Sequence, residues 1–144
     1  MLVHASCIAI EKAAILLWGP SGCGKSDLAL RLIERGAVLV ADDYTELVEK
    51  DGEILAFCPK SIQGKMEVRG VGILDFPSIQ GIPVKVVIDL SPEKEISRLP
   101  VEKIEPPPEI PNTVPCFRLR AFEASAPFKI KKLLTFLLEK KEQM

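Results

Sequence analysis

Gly19-Pro20-Ser21-Gly22-Cys23-Gly24-Lys25-Ser26 meets the pattern G-x-x-x-x-G-K-[ST] at every fixed position. Each fixed position has a task on a phosphate chain. The glycines let backbone N–H groups turn toward an anion with no Cβ in the way. Lys25 reaches the β- and γ-phosphates, and the Ser26 hydroxyl can ligate Mg²⁺. The flanks supply the context that the pattern needs. Ala13-Ala14-Ile15-Leu16-Leu17-Trp18 is a short apolar run and predicts a buried strand entering the loop. A helix pattern leaves it, with Leu28, Ala29, Leu32 and Ile33 on one face and Gly36 placed to cap the end. A glycine-rich turn that matched by chance would lack that strand and helix. The reading is an α/β phosphate-loop domain that binds a nucleoside triphosphate.

Composition narrows the class. The chain has 144 residues, which predicts one domain able to bury a core without disulfides or a structural metal. Hydrophobic residues make up 47% and charged residues 27%, as in a globular rather than a disordered chain. A formal charge of −1 gives no basic field of the kind that nucleic acid or an anionic membrane selects. Cys7, Cys23, Cys58 and Cys116 are scattered, with no C-x-x-C pair and no histidine cluster to suggest zinc. Reduced thiols in a cytoplasmic protein account for them. Met1-Leu2-Val3-His4-Ala5-Ser6 lacks the charged and apolar regions of a signal peptide, and no apolar run approaches the length needed to cross a bilayer.

The pattern of elements agrees with an α/β nucleotide-binding unit. Ala37-Val38-Leu39-Val40-Ala41 predicts a buried strand ending at Asp42-Asp43. Residues 45–57 predict a hairpin turning at Asp51-Gly52. Residues 65–74 are strand-like but interrupted by Gly70 and Gly72, and residues 84–90 form another strand closed by Ser91-Pro92. The proline-rich stretch from 98 to 115 reads as an extended connection, since too little chain follows it for a second core. Near the C-terminus Ser125 can cap a helix, Pro127 suits its first turn, and Ile130, Leu133, Leu134, Leu137 and Leu138 form one stripe.

Beyond the loop, the acids carry the chemistry. Asp89 closes a strand as a Walker B aspartate does, where it can support Mg²⁺, but an Asp before Ser-Pro also suits a turn bond. Asp42 and Asp43 end the strand that follows the phosphate-loop helix. Side chains alternate along a strand, so one of the two should face the γ-phosphate and the other should not. A carboxylate there can take the proton of an attacking hydroxyl. Glu67 and Arg69 are two apart, which on a strand puts both on one face, where they can serve a metal and a phosphate. His4 alone reads as a packed or surface residue as readily as a catalytic one.

In order along the chain, His4, the octapeptide, Leu39-Val40-Ala41-Asp42-Asp43 and Met66-Glu67-Val68-Arg69-Gly70-Val71-Gly72-Ile73 resemble the HPr kinase/phosphorylase family. The likeness runs through the catalytic domain and weakens after about Leu90. It implies a phosphate-loop domain akin to that of PEP carboxykinase, a mixed sheet flanked by helices, assembled into hexamers. It implies transfer of a phosphoryl group from ATP, with Mg²⁺, to a serine of HPr or an HPr-like carrier, and a reverse reaction in which inorganic phosphate releases pyrophosphate. By position, Asp43 matches the family's proton-transferring acid, Ser26 and Glu67 its Mg²⁺ ligands, and Lys25 its phosphate-binding lysine. His4 matches a histidine beside the site, and Arg98 a functional arginine. Gly19, Pro20, Ser21, Gly22, Cys23, Gly24, Lys25, Ser26 and Arg69 are the nucleotide-binding candidates.

Two departures stand out. The chain begins a few residues before the phosphate-loop strand, like the short single-domain form. A Pro-Gly-Arg-Asn-type loop is replaced by Pro115-Cys116-Phe117-Arg118-Leu119-Arg120-Ala121, in which Arg118 and Arg120 are candidate phosphate ligands. Four other readings compete. An ABC ATPase needs Leu-Ser-Gly-Gly-Gln and a GTPase needs Asn-Lys-x-Asp, and both are missing. A small-molecule kinase, or a nucleotide-binding sensor without transfer, shares the loop.

Overall fold

Short apolar runs with period-two alternation dominate the first ninety or so residues, and they fold as strands. The computed structural model describes residues 1–96 and 104–142. In chain order its elements are β1 (Leu2–Val3), β2 (Ala5–Ile10), β3 (Ala13–Trp18), α1 (Lys25–Glu34), β4 (Val38–Ala41), β5 (Thr45–Lys50), β6 (Glu53–Phe57), β7 (Lys65–Val68), β8 (Gly72–Asp75), β9 (Ile82–Asp89), β10 (Cys116–Arg118) and α2 (Ala126–Glu142). Eight strands make one mixed sheet in the order β1-β5-β6-β9-β3-β2-β4, with β10 beside β9, while β7 and β8 form a separate hairpin.

β9 organises the sheet because it serves three neighbours. Its first residues pair antiparallel with β6, its length runs parallel to β3, and its last residues run parallel to β10. Alternation on β3 puts Ala13, Ile15 and Leu17 on one face, and Ala14 and Leu16 on the other. A register shift between Ala14 and Ile15 breaks the alternation on β9, so Val84 and Val87 share one face and Val86 and Ile88 the opposite one.

Both helices cover the same face. Leu28, Ala29 and Leu32 of α1 and Ala126, Ile130 and Leu134 of α2 pack with Ile15, Leu17, Val86 and Ile88. The opposite face is closed by the curl of the sheet through Leu47 and Ile54, and by Ile110 and Val114 of the proline-rich segment. That segment is anchored by Trp18 Nε1, which donates to Glu109 Oε1 at 2.8 Å. Gly36 ends α1 as expected: its φ is 103° and its N–H donates to the Ile33 carbonyl.

The α2 stripe is narrower than the sequence predicts. Ile130 and Leu134 are buried and Leu133 and Leu137 lean on the core, but Leu138 is 38% exposed. It stands eight residues after Ile130, and by then the face has rotated away from the sheet. The 65–74 stretch also differs from a single strand. It folds back at Arg69-Gly70-Val71, with the Val71 N–H on the Val68 carbonyl and Gly70 at φ 86°. Among the described residues no helix is long and apolar enough to cross a membrane.

Candidate active site

The phosphate loop joins the C-terminal end of β3 to the N-terminus of α1, where unpaired N–H groups favour an anion. Gly22 and Gly24 hold φ of 83° and 101°. A Cβ on Gly24 would stand 2.8 Å from the Ala121 Cβ and 2.9 Å from the Phe122 ring, so this position has room for glycine alone. Lys25 is buried, and its Nζ donates to the Gly19 carbonyl at 2.7 Å and the Pro20 carbonyl at 3.3 Å. The ammonium is therefore held against its own loop. Cys23 is tucked behind Gly19, where a Cβ would meet its Sγ at 2.6 Å. Burial pushes its thiol above the ordinary value, against the pull of the Lys25 ammonium.

Two aspartates at the end of β4 take different partners. Asp42 is buried, and its Oδ1 accepts from Ser26 Oγ at 2.7 Å and from Ser6 Oγ at 2.9 Å. Asp43 has φ 69°, and its Oδ1 lies 2.9 Å from His4 Nε2. Its own N–H donates to Ser6 Oγ at 3.3 Å. The His4 ring stacks on Tyr44 with centroids 5.0 Å apart. Alternation predicts that only one of these acids faces the site, yet both line the same cavity. The reason is local. β4 stops at Ala41, and the left-handed turn at Asp43 breaks the strand alternation, so both side chains reach the cavity.

That cavity, of about 640 Å³, gathers His4, Ser21, Gly22, Gly24, Lys25, Ser26, Asp42, Asp43, Glu67 and Arg69. Gly19, Pro20 and Cys23 form the back of the loop and are not on its wall. Glu67 comes from β7, where Met66 and Val68 turn to the core and Glu67 stays exposed. Arg69 sits in the turn beyond the strand and reaches the cavity from there, so its place does not follow from strand alternation.

Three sequence candidates fall elsewhere. Asp89 does not line the cavity: its Oδ1 accepts from the Ser91 N–H at 2.9 Å, and its Oδ2 pairs with Arg118 at 3.2 Å. Burial works to raise its pKa, but the Ser91 bonds and the Arg118 guanidinium outweigh it and hold the carboxyl below the usual range. Arg118 is engaged by that pair, Arg120 donates to the Ser91 and Lys94 carbonyls, and neither lines the cavity. Arg98 lies outside the described residues. Three residues at the site carried no legible signal of their own. Ser6, behind the wall, is a buried serine in an apolar strand that bonds Asp42, Tyr44 meets the site through its stacking on His4, and Phe122 lies far along the chain from every other residue on the cavity wall.

The donor set suits the ligands that the loop implies. A triphosphate meets the helix N-terminus, the positive-φ glycines and Lys25. The Ser26 hydroxyl and the Asp42 and Glu67 carboxylates are hard oxygen donors of the kind Mg²⁺ accepts. Among the described residues no three His, Cys, Asp or Glu side chains form a cage of their own.

The family model "HPr Serine kinase C-terminal domain" matches residues 1–100. The chain is 42% identical over 80 residues to the HPr kinase/phosphorylase of Clostridium tetani, covering 56% of this chain and 26% of that protein. It is 39% identical over 110 residues to the HPr kinase/phosphorylase of Burkholderia lata, covering 69% of this chain and 34% of that protein. It thus spans about a quarter to a third of the length of these curated relatives. The structure of the Hpr(Ser) kinase/phosphatase from Coxiella burnetii superposes with a TM-score of 0.83 at 26% identity, over 99% of this chain and 93% of that one. The fold is therefore shared, and the family match takes in the phosphate loop, both aspartates and the Glu67 hairpin. The chain belongs to the HPr serine kinase C-terminal domain family.

Proposed function

We propose that this domain is an ATP-dependent protein-serine kinase whose acceptor is HPr or a small HPr-like phosphocarrier protein. The observation that carries the reading is the placing of two acids with two different partners in one cavity. Asp42 is tied to Ser26 of the phosphate loop, and Asp43 is tied to His4 on the open side. Ser26 and Glu67, with Asp42 beside them, would hold Mg²⁺, which would supply charge neutralisation on the phosphates. Asp43 accepts the proton of the acceptor serine hydroxyl as its oxygen attacks the γ-phosphorus. The bond from the γ-phosphorus to the bridging oxygen breaks, ADP carries the electron pair away, and the acceptor leaves as phosphoserine. His4 orients the Asp43 carboxylate, and Lys25 and Arg69 face the phosphate oxygens. In the reverse direction inorganic phosphate attacks the phosphoserine phosphorus, the bond from that phosphorus to the serine oxygen breaks, Asp43 returns its proton to the serine oxygen, and pyrophosphate leaves. The same resemblance extends the proposal to a homo-hexamer.

A phosphotransfer assay tests it. The protein is mixed with labelled ATP, Mg²⁺ and HPr-like carriers, and phosphoserine is followed before and after phosphate is added. Label on a carrier serine supports the kinase, and its loss with pyrophosphate release supports the reverse step. Asp43→Asn should cut transfer by at least about a hundredfold with ATP binding nearly unchanged. ATP binding with no label on any carrier would favour a sensor.

A further inference from the structure

Phe122 is the one large aromatic side chain on the cavity wall among the described residues, and it is 68% exposed. The ring stands open at the rim of a polar phosphate site. Its backbone is nevertheless fixed. Arg31 of α1 donates to the Ala121 carbonyl and, at 3.1 Å, to the Glu123 carbonyl, so the two residues flanking Phe122 are clamped to the helix. Arg31 is itself held by Asp27 at 2.8 Å, and Asp27 also lines the cavity. The edge of the ring sits over Gly24, where a Cβ would come within 2.9 Å of it. The loop from 119 to 125 thus presents a positioned aromatic surface at the rim of the phosphate loop.

From this geometry we infer that Phe122 is the nucleobase platform of the site: the purine of a bound nucleoside triphosphate stacks on its ring while the phosphates lie along Gly22–Ser26. The inference rests on the nucleotide-binding part of the function proposed above and adds the residue that distinguishes a nucleotide from a bare polyphosphate. Base–aromatic stacking is sequence-tolerant, because every base has a π-face. Phe122 therefore predicts a preference for nucleotides over polyphosphate with little choice between adenine and guanine. It also gives the glycine at 24 a second task, since any side chain there would push the platform off the loop.

The test is calorimetric titration of the whole chain, with Mg²⁺ present, using ATP, GTP and inorganic tripolyphosphate on wild type, Phe122→Ala and Phe122→Trp. Wild type should bind both nucleotides more tightly than tripolyphosphate. Phe122→Ala should lose roughly ten- to a hundredfold in affinity for ATP and GTP and leave tripolyphosphate unchanged, and Phe122→Trp should restore nucleotide binding. Equal losses for nucleotide and tripolyphosphate, or no loss for either, would overturn the platform while leaving the nucleotide site standing. Failure of wild type to bind ATP at all would overturn both. The exposure of Phe122 makes the alanine variant a mild change to the fold.

Discussion

Asp42 and Asp43 share a side-chain type and adjacent positions, yet the fold gives them opposite environments. Asp42 is buried between two serine hydroxyls, whereas the Asp43 side chain is 62% exposed and meets His4. A buried carboxylate accepting two hydroxyl bonds is fixed in place, which suits a group that positions a metal ligand. An exposed one has room for an incoming hydroxyl. The two should therefore fail differently. Asp42→Asn keeps a carbonyl oxygen for Ser6 and Ser26 but loses the charge. It should weaken the apparent Mg²⁺ affinity of nucleotide binding by about tenfold or more, about 1.4 kcal/mol per factor of ten, while the affinity for metal-free nucleotide stays within about twofold. Titration of nucleotide binding against Mg²⁺ checks this. Loss of metal-free binding as well would show that Asp42 serves the loop's shape instead.

At the scale of elements, the site is an assembly of ends: the end of β3, the start of α1, the end of β4, the outer face of β7 and the loop before α2. Each end is placed by the packing of the element behind it. α2 is attached through Ile130 and Leu134, at 1% and 5% exposure, and it carries the loop that holds Phe122. Leu134→Ala should cost about 2–5 kcal/mol, the usual range for a buried leucine truncation. Leu138→Ala, at 38% exposure, should stay within about 0.5 kcal/mol. Urea unfolding of the two variants separates them, and equal losses would mean that the helix packs along a wider face than the one described. The β7–β8 hairpin depends on Met66 in the same way, because that side chain alone among its residues is fully buried.

At the scale of the molecule, one of the ties between the C-terminal third and the central sheet is ionic. Asp89 at the end of β9 accepts from Arg118 of β10 and from the Ser91 N–H, and its carbonyl accepts the Leu119 N–H at 3.2 Å. The Asp89 carboxyl is held below its ordinary value of 3.8, so the unfolded chain binds this proton more readily than the folded one. Its contribution to stability is present above that ordinary value and is lost as pH falls through the lower folded value. Asp89→Asn should remove that part of the acid limb, giving a stability curve that falls less steeply with pH below about 4, and should cost about 3–5 kcal/mol at neutral pH by leaving Arg118 without its buried partner. Denaturant midpoints measured across pH check both effects, and an unchanged acid limb would mean that Asp89 is not the group responsible. The phosphate loop, its strand and helix, and the acids at 42, 43 and 67 were legible in the sequence, because glycine spacing, apolar period and capping are local properties of the chain. The different partners of Asp42 and Asp43, the turn under Arg69, the capture of Asp89 by Arg118 and the placing of Phe122 over Gly24 were not legible. Each depends on where a strand stops or on which segment, distant in sequence, folds against it, and only tertiary packing decides that.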